Sequence, residues 1–348
     1  MSDEKRALDF TSIKAYLLNS EFKPAHRFFE QFSDMDDTGW TDFYAIWSEA
    51  SLERKLEFLD GLEETAAGDT LVSYESLGMH LLHEPEGVIR KAAIELLWEC
   101  EDYIFANELF ILARTDPDFS VQTAAIRALG TFVYLGELDK FSARKKEAIE
   151  TYLLDVLQGD HPDYKKQRAL ESLGYSSRED LPRLIQHAVD RNDPDWLLAA
   201  LCAMGRSADE QWEPRILEAL DHPDSDIQIE AIRAAGELEL SSAVEFLVTL
   251  IEETDEIDYE LYTTTIWSLS QIGGSQAIEL INTLLENTDN EEEILFLESA
   301  LDNLELKQGI DLEDFLTFDP SEDKIHTVSL DEEEGEDDFD LLEEEDSD

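Results

Sequence analysis

Apolar residues recur along this chain with the period of one helix face. The template i, i+3, i+4, i+7, i+8 fits Ile149, Tyr152, Leu153, Val156 and Leu157. It fits again from Leu181, from Ala243 and from Ala277, and more weakly from Tyr74, Ala106 and Glu213. The spacing between copies is 30 to 34 residues, except for one step of 43 that carries an insertion after Gly130. A proline follows each of the first five copies: Pro85, Pro117, Pro162, Pro194 and Pro223. A second amphipathic stretch then ends at Trp98, Gly130, Gly174, Gly205 or Gly236. The unit therefore reads as helix A, a proline turn, helix B and a glycine turn.

Proline can begin a helix but cannot continue one. Asp118, Asp163, Asp224 and Ser225, just past it, are expected to accept hydrogen bonds from the free N–H groups of helix B. The closing glycines are expected to take the left-handed conformation that ends a helix. Small residues on B, such as Ala124, Ala125, Ala128, Ala231, Ala234 and Ala235, allow close helix neighbours. A two-helix unit cannot bury its own apolar face, so such units must stack.

The runs "DPDFSVQTAAIRALG" and "HPDSDIQIEAIRAAG", with Ile89-Arg90-Lys91-Ala92-Ala93, resemble the short HEAT repeat, the form also seen in phycobilin lyases. The resemblance spans about residues 74–305. It implies an all-α fold, a right-handed α-α superhelix of HEAT type, and mostly a protein-binding role. Where the family carries an Arg after Val, this chain has Gln122 and Gln228, and the unit at Asp193 reads Trp196-Leu197-Leu198. That departure suggests a partner-facing surface that has lost basic charge.

Three regions follow. Residues 1–73 form degenerate N-terminal helical repeats acting as a cap, with stripes in "PAHRFFEQF" and "LERKLEFLDGLEE" and a loop at "SDMDDTG". Residues 74–308 form the solenoid of about seven helix pairs, its last helix at about 291–305. Residues 309–348 form an acidic disordered tail, too poor in apolar residues to offset the entropy of ordering.

Charge narrows the function. The chain has 84 acidic and 26 basic residues and a net charge of −58. Residues 311–348 account for −18, so the first 310 still carry −40. A field of that sign repels nucleic acid and anionic membranes and attracts basic proteins. No apolar run is long enough for a transmembrane helix. Two cysteines, Cys100 and Cys202, lie in helical stretches and read as buried thiols of a reducing compartment. A cytoplasmic protein is the expectation.

Candidate chemistry is thin. His161-Pro162-Asp163 and His222-Pro223-Asp224 align with Asp116, Asp193 and Glu84 at the first position, so the histidine reads as turn punctuation and not as a ligand. His80, His83 and Glu84 share a helical stretch, but His83-Glu84 is a single His-Glu pair, and one pair leaves a metal short of ligands. Catalytic, cofactor and metal residues are therefore none. The partner-binding candidates are Arg144, Lys145, Lys146, Lys165, Lys166 and Arg168, which fall on two successive helices, and Phe339, Leu341 and Leu342 in the tail. The reading is a non-catalytic scaffold for a basic protein segment. A phycobilin-lyase-like enzyme or chaperone subunit and an acidic nucleic-acid mimic are the alternatives.

Overall fold

The computed structural model describes residues 8–316 apart from 20, 26, 69, 70, 255 and 256; of 307–316 it describes the backbone alone. Phe339, Leu341 and Leu342 thus lie outside the described residues, as does most of the tail. Every regular element among the described residues is a helix.

Three helices come first: α1 (Phe10–Leu18), α2 (Asp37–Trp47) and α3 (Leu52–Gly68). Seven A–B pairs follow in chain order. They are α4 (Glu75–Leu81) with α5 (Gly87–Leu96), α6 (Tyr103–Thr115) with α7 (Phe119–Glu137), and α8 (Ala143–Gln158) with α9 (Asp163–Leu173). Next come α10 (Leu181–Val189) with α11 (Pro194–Arg206), and α12 (Glu213–Ala219) with α13 (Ser225–Glu237). The last are α14 (Val244–Glu253) with α15 (Tyr259–Ile272), and α16 (Ser275–Asn287) with α17 (Glu291–Leu316).

Two units divide the chain, Met1–Leu304 and Glu305–Asp348. In the first, α5, α7, α9, α11, α13 and α15 form one layer, each packed against the next. The A helices cover one side of that layer. This is the all-α HEAT-like solenoid expected from the repeat. In the second unit the described residues are only the end of α17. That helix runs past the expected end at 305, because Gly309 costs a helix about 1 kcal/mol without breaking it.

The turns work mostly as their chemistry requires. Asp224 accepts from the N–H groups of Asp226 and Ile227, Asp118 from Ser120, and Asp193 from Asp195 and Trp196. Asp163 does not cap: Pro162 holds the cap position, so Asp163 sits inside the first turn and pairs with Arg191 at 2.8 Å. Ser225 is likewise the first residue of α13, one place too late to cap it. His222 Nδ1 accepts from the Asp224 N–H at 3.1 Å, and Asp116 Oδ1 accepts from the Asp118 N–H at 2.8 Å. Histidine and aspartate exchange at this position because either can accept that bond.

The glycines do something other than expected. Gly130, Gly174, Gly205 and Gly236 are not left-handed; among the described glycines only Gly273 (φ +82°) and Gly274 (φ +98°) are. A Cβ on those four would come within 3.2, 2.8, 2.8 and 2.9 Å of the Cα of Ser172, Ala203, Ala234 and Ser268. Each glycine thus receives a small residue of the next B helix. α7 runs on through Gly130 to Glu137, burying Phe132, Val133 and Leu135, so the inserted residues lengthen that helix.

The glutamines also change meaning. Gln228 Nε2 donates to the Leu220 carbonyl at 2.8 Å and Gln122 Nε2 to the Asp116 carbonyl at 2.7 Å. Arg90, in the same place, donates to the Glu84 and Pro85 carbonyls and clasps buried Asp116 with two bonds of 2.7 Å. The position ties the end of helix A to the next turn. Its side chain reports on internal packing and not on which partners the surface accepts.

The N-terminal region departs most from its pattern. "PAHRFFEQF" is not a helix: Arg27 sits at φ +70° and only Phe29–Phe32 coil, as a short 3-10 turn. Its rings pack with Tyr16, Phe43 and Phe58 in one cluster. "SDMDDTG" is only partly a loop, since Asp36 caps α2 and Asp37 begins it.

A candidate protein-binding groove on the B-helix face

The exposed side of the B layer carries a groove of about 470 Å³. Four arginines line it, one from each of four successive B helices: Arg127 on α7, Arg168 on α9, Arg206 on α11 and Arg233 on α13. Four carboxylates share it: Glu171, Asp226, Glu230 and Glu260. In a chain of net charge −58 this is a locally balanced strip. The glycine contacts set its register, because they fix how each B helix slides against the next.

The arginines are held. Arg168 Nη2 lies 2.5 Å from Glu171 Oε1, and its guanidinium sits 5.0 Å above the Tyr164 ring. Arg206 Nη1 donates to the Glu171 carbonyl at 3.0 Å, and its guanidinium lies 4.8 Å above the Tyr175 ring. Arg233 pairs with Glu230. The Nε atoms of Arg168 and Arg206 are withdrawn from solvent and meet no acceptor. Arg127 is exposed.

Burial pushes the Glu171 carboxyl above the ordinary range, against the pull of Arg168 and Arg206. The Glu237 carboxyl lies over Gly205, and partial desolvation by the protein packed around it lifts it to about 7 despite Arg206. Cys202 also lines the groove; burial pushes its thiol up, which leaves it a poor nucleophile.

Aromatic rings flank the groove. Phe119 and Tyr164 lie 6.3 Å apart at the N-terminal ends of α7 and α9, and Tyr134 and Tyr175 lie 5.4 Å apart toward the other ends. A second depression, of about 400 Å³, adjoins at Arg233 and adds Trp267 and Phe296. Tyrosine, tryptophan and arginine are the residues that dominate protein interfaces, and lysine is depleted there.

The six basic residues named from the sequence do not form one patch. Lys146 pairs with Glu137 at 2.9 Å, and Lys145 lies 4.6 Å above the Tyr103 ring. Arg144 is exposed on the first turn of α8. Lys165 is buried; its Nζ donates to Gln122 at 2.8 Å and reaches the Ala113 carbonyl at 3.4 Å. Lys166 is half-buried. Arg168 alone joins the groove. Arg127, Arg206 and Arg233 were missed, although "AIRALG" and "AIRAAG" place Arg127 and Arg233 three residues before their glycines.

The other candidates go to structural partners. His80 stacks on Trp40 at 4.6 Å, His83 lies 3.9 Å from Glu108, and buried Glu84 pairs with Lys55 at 3.2 Å and accepts from the Trp47 indole at 2.9 Å. Among the described residues no three His, Cys, Asp or Glu side chains meet as a metal set. Cys100 is buried, but it lies in the turn between α5 and α6 and not in a helix. Among the described residues no helix is long and apolar enough to cross a membrane.

A family model of HEAT repeats matches residues 181–259 and 213–301. Among curated proteins none matches the chain. Solved structures similar to it include these two. One is the complex of CpcE and CpcF of phycocyanin lyase from Nostoc sp. PCC7120, 19% identical, covering 66% of this chain and 94% of that one, with a TM-score of 0.42. The other is YibA of E. coli, 15% identical, covering 82% of this chain and 98% of that one, with a TM-score of 0.37. At these scores neither neighbour bears on function.

Proposed function

The chain is a HEAT-repeat protein, and from that premise we propose that it is a non-catalytic scaffold that binds another protein along the B-helix face. The observation that carries this reading is the groove itself. Four arginines line it, with Tyr164 and Tyr175 stacked on two of them and Trp267 in the adjoining depression, in a chain otherwise dominated by acids. A repeat array presents such a face as one continuous strip, each helix adding one step.

The partner as a whole is a basic protein. The net charge of −58 reaches beyond any single contact and raises the rate at which basic molecules arrive. Charge selects who approaches, and the groove selects which segment docks.

Affinity capture with the full chain, compared with a Tyr164→Ala/Trp267→Ala variant, tests both parts. Both rings are more than two-fifths exposed, so the variant keeps its melting behaviour. The expected result is a set of basic partners, held at low salt, weakened at high salt and lost from the variant. Retention by the variant equal to wild type overturns the groove reading. Acidic partners, or retention indifferent to salt, overturn the charge reading.

A further inference from the structure

We infer that the groove holds one large apolar side chain of the partner, with a basic residue beside it. This rests on the protein-binding reading of the groove and names the chemistry of its occupant.

Most of the groove's charges are already engaged with one another. Arg168 pairs with Glu171, and Arg233 pairs with Glu230. Arg206 is tied to the Glu171 carbonyl and lies over the Tyr175 ring. These groups keep their partners when something covers them, so they ask for no charge from an occupant. What they enclose is apolar. Leu198 and Cys202 stand one turn apart on the groove side of α11, both partly exposed, and buried Ile229 joins them from α13.

The glycine contacts bring these residues to one level. The B helices run the same way with the same rise per residue. Gly205 lies against Ala234, which sets Leu198 level with Ile227 and Cys202 level with Ala231. Ile229 therefore falls between Leu198 and Cys202. Gly174 lies against Ala203, which sets Glu171 level with Ala200, again between Leu198 and Cys202. The apolar floor thus has the Arg168–Glu171 pair on its α9 side and the Glu230–Arg233 pair on its α13 side.

A floor of this kind, ringed by satisfied polar groups, is where one inserted side chain contributes most to binding, because the ring shuts out water. An apolar anchor releases the water over Leu198 and Cys202, which a charged or polar one would hold. The groove's volume of about 470 Å³ accommodates a whole aromatic or branched side chain.

The rim selects the anchor's neighbour. Asp226 and Glu260 are exposed at the α13–α15 end, and with Glu230 they outnumber Arg233 there. Arg127 is exposed at the α7 end. A basic residue beside the anchor therefore lies toward α15, which suits a partner that is basic overall.

Three labelled ten-residue peptides built on Gly and Ser, titrated into the full chain by fluorescence anisotropy, test this. One carries a central Phe with two Lys beside it, the second has Ala for Phe, and the third has Glu for Lys. The first is expected to bind about tenfold tighter than either control. Leu198→Ser is expected to weaken the Phe peptide about tenfold and leave the Ala peptide unchanged, a coupling that a merely structural loss does not give. Asp226→Asn/Glu260→Gln, at two exposed positions where the fold is safe, is expected to weaken both Lys peptides alike. Indistinguishable binding of the Phe and Ala peptides up to millimolar concentration overturns the inference, as does equal weakening of both by Leu198→Ser. Binding of the Glu peptide as tight as that of the Lys peptide overturns the basic neighbour. If captured partners depend on Tyr164 and Trp267 but not on Leu198, this inference fails and the scaffold survives. If nothing depends on the B face, the scaffold itself fails.

Discussion

The N-terminal helices and the B-helix layer set their packing by opposite means. Around α3, rings do it: Phe58 touches Tyr16, Phe29, Phe32, Phe43 and Trp47 at centroid distances from 4.8 to 6.3 Å. Along the B layer, absence does it: a glycine faces the Cα of a small residue on the next helix, four times over. Large rings fill an irregular space and need no fixed register. Backbone contact through glycine allows one register, which each repeat then copies. The solenoid is regular where side chains are small and idiosyncratic where they are large.

The largest test of that contrast is Phe58→Ala. Removing a ring buried among five others is expected to cost about 3–5 kcal/mol. Repeat arrays need not unfold in one step, so hydrogen exchange should localise the loss to α1–α3. Equal loss of protection in α13 would make the two regions one cooperative unit.

Next comes Gly174→Ala. Alanine favours a helix over glycine by about 1 kcal/mol, yet here its Cβ meets backbone at 2.8 Å. Overpacking of that kind costs about 1–3 kcal/mol, so denaturant titration should show a net loss. Gly68, where an added Cβ meets nothing within 4 Å, supplies the control: Gly68→Ala should be neutral or stabilising. If the two variants behave alike, close approach is not why the glycines are there.

A smaller effect is expected from Gln228→Ala, which frees the Leu220 carbonyl at one A–B turn. The loss should be about 1 kcal/mol, read from the same titration, with partner binding unchanged. A binding change without a stability change would return this position to the surface.

The smallest effect is a slope with pH. The folded chain holds the Glu237 proton up to about 7, above the ordinary 4.5. Between those values the folded state binds a proton that the unfolded state has released, so stability falls as pH rises through the window. Glu237→Gln removes that slope, and the variant should gain on wild type above about pH 7 in melts taken across the range. Loss of net charge on acidification acts in the same direction on both proteins, so only the difference between them counts.

Much of the candidate site was on the page as sequence but not as a site. The basic runs at Arg144–Lys146 and Lys165–Arg168 stood out because they were contiguous, and contiguity on a helix spreads side chains round it. Lys165 went inward, Lys146 went to Glu137, and only Arg168 faced the groove. The residues that joined it were single arginines in three other repeats. Their shared offset from glycine in "AIRALG" and "AIRAAG" was the available signal, and Arg206, directly after its glycine, broke even that.

What the sequence determined by itself is local: which stretches coil, where proline and aspartate start them, and the alternation of A and B over some thirty residues. Those choices depend on dihedral limits, capping bonds and a helix-face period, all settled within a few residues. Tertiary structure decided what the glycines are for, that "PAHRFFEQF" abandons the helix, and that arginines from four repeats line one groove. Each of these depends on contacts between segments far apart in the chain, where the fit of one backbone against the next outweighs local preference.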